Sequence, residues 1–310
     1  MSIVVLGAVF VDIKGYPNDN YIPGGRNAGR VEFVHGGVSR NIAEDIANVE
    51  LRPVFLSLVD ETGAGADVIR QLERHKVDTR YMRATPDGMG TWLAVFNNDG
   101  DVVAAISKRP DLSPILDILR QHGDEIFARA DSITLELDME QDTVKEVFRL
   151  AQKYHKPIYA AVSNMSIAVK RRDFLRSTDC FVCNRQEAGI LFSEEYEGLS
   201  PARMQEVISR RVVSAEIPCM VVTMGADGAV WAAKDGSSGF CPAIKVDMKD
   251  STGAGDAFFA GVAIGLTYGH GIAHGCEIGA RLAAAVICTS ENVCPRFLPA
   301  EFDLRVPAEA

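Results

Sequence analysis

The residues best equipped for chemistry lie together in one short segment, residues 250–258, which reads Asp-Ser-Thr-Gly-Ala-Gly-Asp-Ala-Phe. The apolar residues that follow have a spacing that predicts a packed helix beginning in this segment. Helix N-termini carry unpaired N–H groups and the positive end of the dipole, so the backbone of Gly253, Ala254 and Gly255 predicts an anion hole. Asp256 lies in the same turn, where its carboxylate can accept the proton of a hydroxyl that attacks phosphorus. The segment therefore predicts phosphoryl transfer with Asp256 as the catalytic base.

A simpler interpretation of the same residues is an ordinary loop followed by an acidic first helical turn, which stabilises many helices. No Gly-x-x-x-x-Gly-Lys-Ser/Thr phosphate loop occurs in the sequence, and Gly253-Ala254-Gly255 is not the Gly-x-Gly-x-x-Gly of dinucleotide-binding proteins. A dehydrogenase is therefore disfavoured. The choice between an anion site and a plain loop depends on the polar residues elsewhere in the chain.

Composition and charge argue against some functional classes. The chain has 310 residues, 47% of them hydrophobic, and a net charge of −10, with a pI near 5.2. That charge argues against a general nucleic-acid or membrane-surface binder. Seven cysteines, an odd number scattered through apolar surroundings, and a start without a signal-peptide pattern make the cytoplasm the expected location.

Apolar runs typical of strands alternate with segments of helical spacing. This alternation predicts an α/β fold in which a largely parallel sheet is covered by helices, with one domain over residues 1–310. The predicted strands are residues 3–10, 54–59, 133–137, 157–162, 181–183 and 220–224, and the predicted helices include residues 38–49, 112–127, 144–150 and 204–212.

Two segments, residues 14–34 and 90–106, interrupt the alternation of strands and helices. They predict small strands outside the main sheet. The second contains Asn98-Asp99-Gly100 between two strand-like runs, which is a strong hairpin signal. Ligands of open α/β sheets bind at the carboxyl ends of the strands, so these segments predict a lid over that edge. The alternative is a surface ribbon that pairs subunits, and the two roles are compatible.

Further polar residues stand at predicted strand ends and helix starts. Asp12 follows the first strand, where a carboxylate can accept hydrogen bonds from two neighbouring sugar hydroxyls. Gly36 and Gly37 let a ligand approach the backbone, and Asn41, one turn later, offers a donor and an acceptor. A strand-ending Asp and a glycine turn before a helix are the ordinary alternatives.

The second half of the chain carries two more such groups. Asn184 and Glu187 open a helix and suit a hydrated Mg²⁺ held through water, although the same spacing makes an ordinary capping box. After the predicted strand 220–224 the chain turns at two glycines. This turn, with Thr223, Gly225 and Gly228, predicts a binding loop for a nucleotide phosphate.

Taken in order along nearly the whole chain, these motifs resemble those of the ribokinase-like carbohydrate kinases, the PfkB family. The Asp-x-Thr-Gly-Ala-Gly-Asp-Ala-Phe run is the specific part. The resemblance implies a three-layer α/β/α sandwich with a small β lid, ATP as phosphoryl donor and Mg²⁺ as cofactor. It implies roles for the following residues: Asp256 as base, Gly253, Ala254 and Gly255 as anion hole, Asp12, Gly36, Gly37 and Asn41 for the acceptor, Asn184 and Glu187 for Mg²⁺ and phosphate, and Thr223, Gly225 and Gly228 for the nucleotide.

Residues 36–43, Gly-Gly-Val-Ser-Arg-Asn-Ile-Ala, resemble the pseudouridine kinase branch of that family, as does Asn27 in the run before them. This branch implies the ribose 5-hydroxyl of a C-nucleoside as acceptor, with Asn27 among the substrate residues. Lys108, Ala160-Ala161 and Ser39 depart from the branch pattern. A kinase for a free sugar such as ribose or fructose, or a catalytically silent sensor of sugar or nucleotide on the same fold, are the alternatives.

The resemblance also implies a monovalent-cation site. Asp250 and Thr252 match the first half of the family's K⁺ site, whereas Asn292 and Arg296 stand where relatives tend to have Gly and Ser. The hypothesis here is that Arg296 supplies its own charge in place of the ion. Residues 283–288 and the loop 289–296 are expected to flank the adenine. Apart from the resemblance, exposed lid strands predict a homodimer.

Overall fold

A mostly parallel sheet forms the centre of the molecule. The computed structural model describes residues 2–165 and 169–304; within them the central sheet has eight strands. All strands are, in chain order, β1 (Ile3–Leu6), β2 (Phe10–Pro17), β3 (Gly29–Gly36), β4 (Val54–Leu56), β5 (Leu58–Val59), β6 (Arg83–Ala84), β7 (Gly90–Phe96), β8 (Val102–Lys108), β9 (Ser132–Glu136), β10 (Ile158–Ala161), β11 (Cys180–Asn184), β12 (Cys219–Thr223), β13 (Ala229–Ala233) and β14 (Ser238–Cys241). The central order is β14-β13-β12-β11-β10-β9-β1-β4, and the β12-β13 and β13-β14 pairs are antiparallel.

Helices cover both faces of this sheet. They are α1 (Val38–Asn48), α2 (Gly63–Arg74), α3 (Pro114–Arg129), α4 (Gln141–Tyr154), α5 (Arg172–Leu175), α6 (Arg185–Phe192), α7 (Pro201–Ala215), α8 (Ala254–Thr267) and α9 (Gly271–Ile287), with short 3₁₀ turns at Val169–Arg171, Gly225–Asp227 and Pro299–Phe302. No helix in the described ranges is long and apolar enough to cross a membrane.

The strands alternate their side chains between two hydrophobic cores, as the period of two requires. In β1, Val4 and Leu6 join the core beneath α3, α4, α6 and α7. Ile3 and Val5 join the core beneath α1, α2, α8 and α9. This arrangement is the three-layer α/β/α sandwich that the resemblance implied.

The lid is a second sheet, with strand order β3-β2-β7-β8. Its strands extend slightly beyond the predicted lid segments, because β2 already begins at Phe10 and β8 ends at Lys108. The prediction that residues 3–10 form one strand was wrong, since β1 ends at Leu6 and the chain then enters the lid. Asp12 consequently lies within lid strand β2 instead of following a strand of the central sheet.

Other predicted elements differ from the structure mainly in their bounds. The predicted strand 54–59 is divided between β4 and β5, which belong to different sheets. Helix α2, helix α9 and the antiparallel pair β13-β14 were missed as elements. The prediction of one domain extends to residues 1, 166–168 and 305–310, which lie outside the described ranges.

Candidate active site

Two helix N-termini meet at the predicted catalytic residue. Asp256 lies in the first turn of α8, and Asn41 lies in the first turn of α1. The Nδ2 group of Asn41 donates a hydrogen bond to Oδ2 of Asp256 at 2.7 Å. Helix α1 can start where it does because Gly37, its N-cap residue, takes a φ of 100°, a value that favours glycine. The fold therefore brings together two of the predicted site residues.

The environment of Asp256 suits a general base near neutral pH. Burial raises the pKa of its carboxyl from 3.8 to about 7. The hydrogen bond from Asn41 and the positive charge of Arg40 lower that pKa, and the negative charge of Glu187 raises it further. A base is most effective when its pKa lies near the working pH, because it is then ionised and still able to take a proton.

The predicted anion loop has the geometry of a helix start with exposed donors. Gly253 is the N-cap of α8 with a φ of 83°, and a Cβ at this position would overlap the main-chain oxygen of Asn292. The amide of Ala254 donates to the Ser251 carbonyl at 3.2 Å and is therefore engaged within the turn. In the described ranges the amides of Gly253, Gly255 and Asp256 have no acceptor. These three N–H groups are the donors available to an anion.

Asp12 and the glycine pair form one wall beside this centre. A Cβ on Gly36 would lie 2.9 Å from Oδ2 of Asp12, so the two residues are in close contact. Burial raises the pKa of Asp12, while the positive charges of Lys14 and Arg40 lower it. Asn27, predicted as a further substrate residue, bonds within its own turn. Its amide donates to the carbonyls of Ile22 at 3.0 Å and Gly25 at 3.2 Å.

Asn184 and Glu187 form a capping box at the start of α6. The Asn184 side chain accepts from the Glu187 amide, and the Glu187 carboxylate accepts from the Asn184 amide, both at 2.8 Å. Burial raises the pKa of Glu187, the Asn184 bond lowers it and the charge of Asp138 raises it. Glu187 also lies close enough to raise the pKa of Asp256. The capping box and the Mg²⁺ site are thus compatible interpretations. The bond to the Asn184 amide uses one carboxylate oxygen of Glu187, and the charge of this carboxylate still acts on Asp256.

The donor set fits a hydrated Mg²⁺ better than a protein-enclosed ion. Mg²⁺ usually takes one or two carboxylates and completes its shell with water and substrate phosphates. Glu187 offers such a carboxylate, and the described residues contain no cluster of three or more His, Cys, Asp or Glu able to hold a metal.

A cavity of about 440 Å³ opens directly beside the anion loop. Gly255 and Ser251 line one end of it, and the predicted nucleotide residues Thr223, Gly225 and Gly228 line another part. The rest of the wall is mostly apolar, with Lys245 as its charged residue, and comes largely from α9 and from the chain after β14; these residues include Ala280, Ala283, Ala284, Ile287, Pro242, Ala243, Ile244, Val246 and Met248. Ala283, Ala284 and Ile287, from a segment expected to flank the adenine, thus line this cavity, whereas the loop 289–296 contributes none of its lining residues.

Two features of this region were missed by sequence reasoning. The segment after β14 carries apolar Ile244, Val246 and Met248 at every second position, all exposed to solvent, and this alternation was a usable signal. Arg185 donates to Oδ2 of Asp227 at 2.8 Å and so links α6 to the nucleotide turn. Nothing local in the sequence pairs these two residues.

The residues predicted for a monovalent cation have partners of their own. Oδ1 of Asp250 accepts from both the amide and the hydroxyl of Thr252, at 2.9 and 2.8 Å. Arg296 is 54% exposed and forms an ion pair with Glu50 at 3.3 Å. Its charge is directed to Glu50 in this structure, and the hypothesis that Arg296 takes the place of an ion stays a prediction. Asp250 and Thr252 remain predicted ligands.

Comparisons with known proteins find similar sequences over nearly the whole chain. The family model of the pfkB family carbohydrate kinases matches residues 1–295. A guanosine-inosine kinase of Exiguobacterium acetylicum is 31% identical over 304 residues, covering 96% of this chain and 99% of the relative. The pseudouridine kinase of Escherichia coli K12 is 26% identical over 265 residues, covering 84% of this chain and 82% of the relative.

Solved structures show the same fold at low sequence identity. A ribokinase of Arabidopsis thaliana, solved with ribose and ATP, has a TM-score of 0.83 at 18% identity, with 97% of each chain covered. A ribokinase of Giardia lamblia has a TM-score of 0.81 at 17% identity, covering 97% of this chain and 98% of the other.

Proposed function

The chain belongs to the pfkB family of carbohydrate kinases and is a phosphotransferase with a hydroxyl acceptor; on that premise we propose that it transfers the γ-phosphoryl group of ATP to the ribose 5-hydroxyl of a nucleoside. One observation carries the proposal. The Asn41–Asp256 pair joins the starts of α1 and α8, and the neighbouring residue Gly255 has a free amide and lines a cavity large enough for a nucleotide.

The catalytic centre acts through position and charge. The acceptor hydroxyl lies against Asp256, which orients it and removes its proton as the bond to phosphorus forms. The unpartnered amides of Gly253, Gly255 and Asp256 donate to the phosphoryl oxygens as negative charge develops on them. The Asn41 bond holds the carboxylate in one orientation. Most of the rate enhancement then comes from placing both reactants together.

The cavity beside the loop is the proposed ATP site. The turn from Thr223 to Gly228 takes the phosphate side, and the apolar wall of α9 takes the adenine. Glu187 would hold Mg²⁺ through water, and the bound ion would neutralise part of the phosphate charge. The partly buried carboxylate at this position supports that role, because Mg²⁺ usually takes one or two carboxylates and completes its shell with water and phosphate.

The lid supports a nucleoside as acceptor. Asp12 and Trp92 are partners in the β2-β7 register and therefore share one face of the lid sheet. On the same face Phe96 stacks on Tyr16 at 4.7 Å and packs edge-on to Trp92 at 6.4 Å between ring centroids. An aromatic surface next to a carboxylate suits a molecule with a flat base and a polyhydroxyl ring. A free sugar needs only the carboxylate.

Purine nucleosides are the proposed first substrates. The sequence prediction was pseudouridine, from the run at residues 36–43. The relative with a guanosine-inosine name is more similar over more of the chain than the pseudouridine kinase is. Guanosine and inosine are therefore the first candidate substrates. Pseudouridine is the second candidate, supported by the motif at residues 36–43.

The test is ADP release with Mg-ATP against guanosine, inosine, pseudouridine, uridine, adenosine, ribose and fructose. Turnover on a nucleoside supports the proposal, and turnover confined to a free sugar keeps the chemistry and discards the acceptor. A protein that binds ATP but turns over nothing in the panel would point to the silent sensor. Trp92→Ala is the matched variant, since it should raise KM for a nucleoside far more than KM for ribose.

The outer face of the lid is proposed as a homodimer surface. The strand registers place Phe33, Ile13, Leu93 and Ile106 in one row across the four lid strands, on the face opposite Asp12. Three of them are well exposed: Phe33 by 69%, Leu93 by 40% and Ile106 by 70%. A continuous apolar row on a small sheet favours burial against a second copy, which would keep the lid ordered.

A further inference from the structure

Arg40 is a buried charge that the proposed reaction does not use directly. Its side chain is 2% exposed and forms an ion pair with Glu44, four residues later in α1. Arginine is rarely buried to this extent unless it is paired. Both terminal nitrogens of Arg40 have partners, whereas its buried Nε has no hydrogen-bond partner among the described residues. The question is what the guanidinium does so close to Asn41 and Asp256.

One nitrogen of Arg40 fixes the orientation of Asn41. Nη1 donates to Oδ1 of Asn41 at 3.0 Å. A guanidinium has donors and no acceptor, so the amide oxygen of Asn41 must face it. The Nδ2 group of Asn41 is then left to donate to Asp256 at 2.7 Å. The reversed amide would direct an oxygen at the carboxylate and repel it.

The same nitrogen reaches the chain behind the anion loop. Nη1 of Arg40 donates to Oδ1 of Asn292 at 3.2 Å and to the His35 carbonyl at 3.2 Å. Nδ2 of Asn292 in turn donates to the His35 carbonyl at 2.7 Å. The main chain of Asn292 is the part of the protein that a Cβ on Gly253 would overlap. Arg40 therefore contacts the supports of both the base and the anion loop.

We propose that Arg40 is a positioning residue for phosphoryl transfer, which fixes the amide of Asn41 toward Asp256 and holds Asn292 behind Gly253. This inference rests on the proposed function. The positive charge of Arg40 also lowers the pKa of both Asp12 and Asp256, against the larger rise that burial causes. It is thus a buried positive charge that acts on both carboxyl groups.

The experiment removes Arg40 without leaving its partner charge buried. Arg40→Met/Glu44→Leu replaces the ion pair by apolar side chains, an exchange that folded proteins often tolerate. We expect kcat to fall about 10- to 100-fold, the scale of a misplaced catalytic group, while KM for Mg-ATP changes less than about twofold. Glu44→Gln, which keeps Arg40 and its donors, is the control with a much smaller effect on kcat.

A double-mutant cycle with Asn41→Ala separates positioning from general destabilisation. If Arg40 acts through Asn41, the Arg40→Met/Glu44→Leu change should cost much less in kcat when Asn41 is already Ala. Equal losses in both backgrounds, or no loss in the folded double variant, would overturn the inference. Should the double variant fail to fold, Arg40→Lys gives the same cycle, since lysine keeps the charge but not the planar fork.

Failure of this inference is distinguishable from failure of the proposed function. Full activity of Asp256→Asn would exclude Asp256 as the base and with it the proposed mechanism. If Asp256→Asn is inactive but Arg40 and Asn41 show no coupling, only the positioning role of Arg40 is excluded, and the proposed phosphoryl transfer stands.

Discussion

Nδ2 of Asn41 donates to Oδ2 of Asp256 across 2.7 Å and joins the first turns of two helices that are 215 residues apart in the sequence. Both residues were predicted as functional from separate motifs, one as an acceptor ligand and one as the base. Their contact means that a change at either end alters the orientation and the pKa of the same carboxylate.

The pH dependence of kcat should report the ionisation of Asp256. Its pKa is raised by burial to about 7, and the base must be ionised to accept a proton. We therefore expect kcat to rise with pH and level off above about 7. Asn41→Ala removes a hydrogen bond that lowers this pKa, so its rise should move to higher pH. A pH profile that stays in place in this variant would contradict the assignment.

Asp256 should also reduce the stability of the free enzyme at high pH. The folded pKa is about 7 and the unfolded value about 3.9, so the folded state binds the proton more tightly. The stabilisation from that proton is present at low pH and decreases as pH rises between these two values. Asp256→Asn should therefore raise Tm at pH 8 by about 2–6 °C and by less at pH 5. Thermal melts at the two pH values give the answer, and a variant that is less stable at pH 8 contradicts it.

The two glycines of the anion loop should respond differently to alanine. A Cβ on Gly253 meets the main chain of Asn292 and requires a φ of 83°, so Gly253→Ala should lower both Tm and kcat. A Cβ on Gly255 meets no protein atom within 4 Å. Gly255→Ala should keep the wild-type Tm and still impair turnover, because its methyl group enters the space proposed for phosphate. Wild-type kinetics in Gly255→Ala would contradict the proposal that this loop binds the transferred phosphoryl group.

A charge on the outer lid face should separate the proposed dimer. Phe33→Asp places a carboxylate in the apolar row and should shift the mass measured by light scattering toward the monomer. Val213→Asp is the matched control, since Val213 is also exposed, by 52%, but lies on α7. A wild-type protein that is monomeric at micromolar concentration would contradict the proposed surface.

The layered architecture and the local geometry of the candidate site were accessible from the sequence. Residues 250–258 predict a helix start with a carboxylate in its first turn, and Asp256 lies in the first turn of α8. Gly37 and Asn41 likewise mark the start of α1. Such local signals work because caps, glycine turns and dipole ends depend on neighbours within a few residues.

Features that depend on long-range packing were not accessible. The apolar run at residues 3–10 is continuous, and nothing in its period shows that the chain leaves one sheet at Leu6 and enters another at Phe10. Arg40 followed by Glu44 has the spacing of an exposed helical ion pair, yet both side chains are buried. Their burial follows from how α1 packs against its neighbours, which no local pattern encodes.

The most direct test of the account is kcat of Asp256→Asn with Mg-ATP and whichever acceptor of the panel the wild-type enzyme phosphorylates. A positioned general base contributes about 10²–10⁴ in rate, so the variant should lose about that factor in kcat while its affinity for ATP stays nearly unchanged. A variant with wild-type kcat would contradict the central claim that Asp256 takes the proton of the attacking hydroxyl.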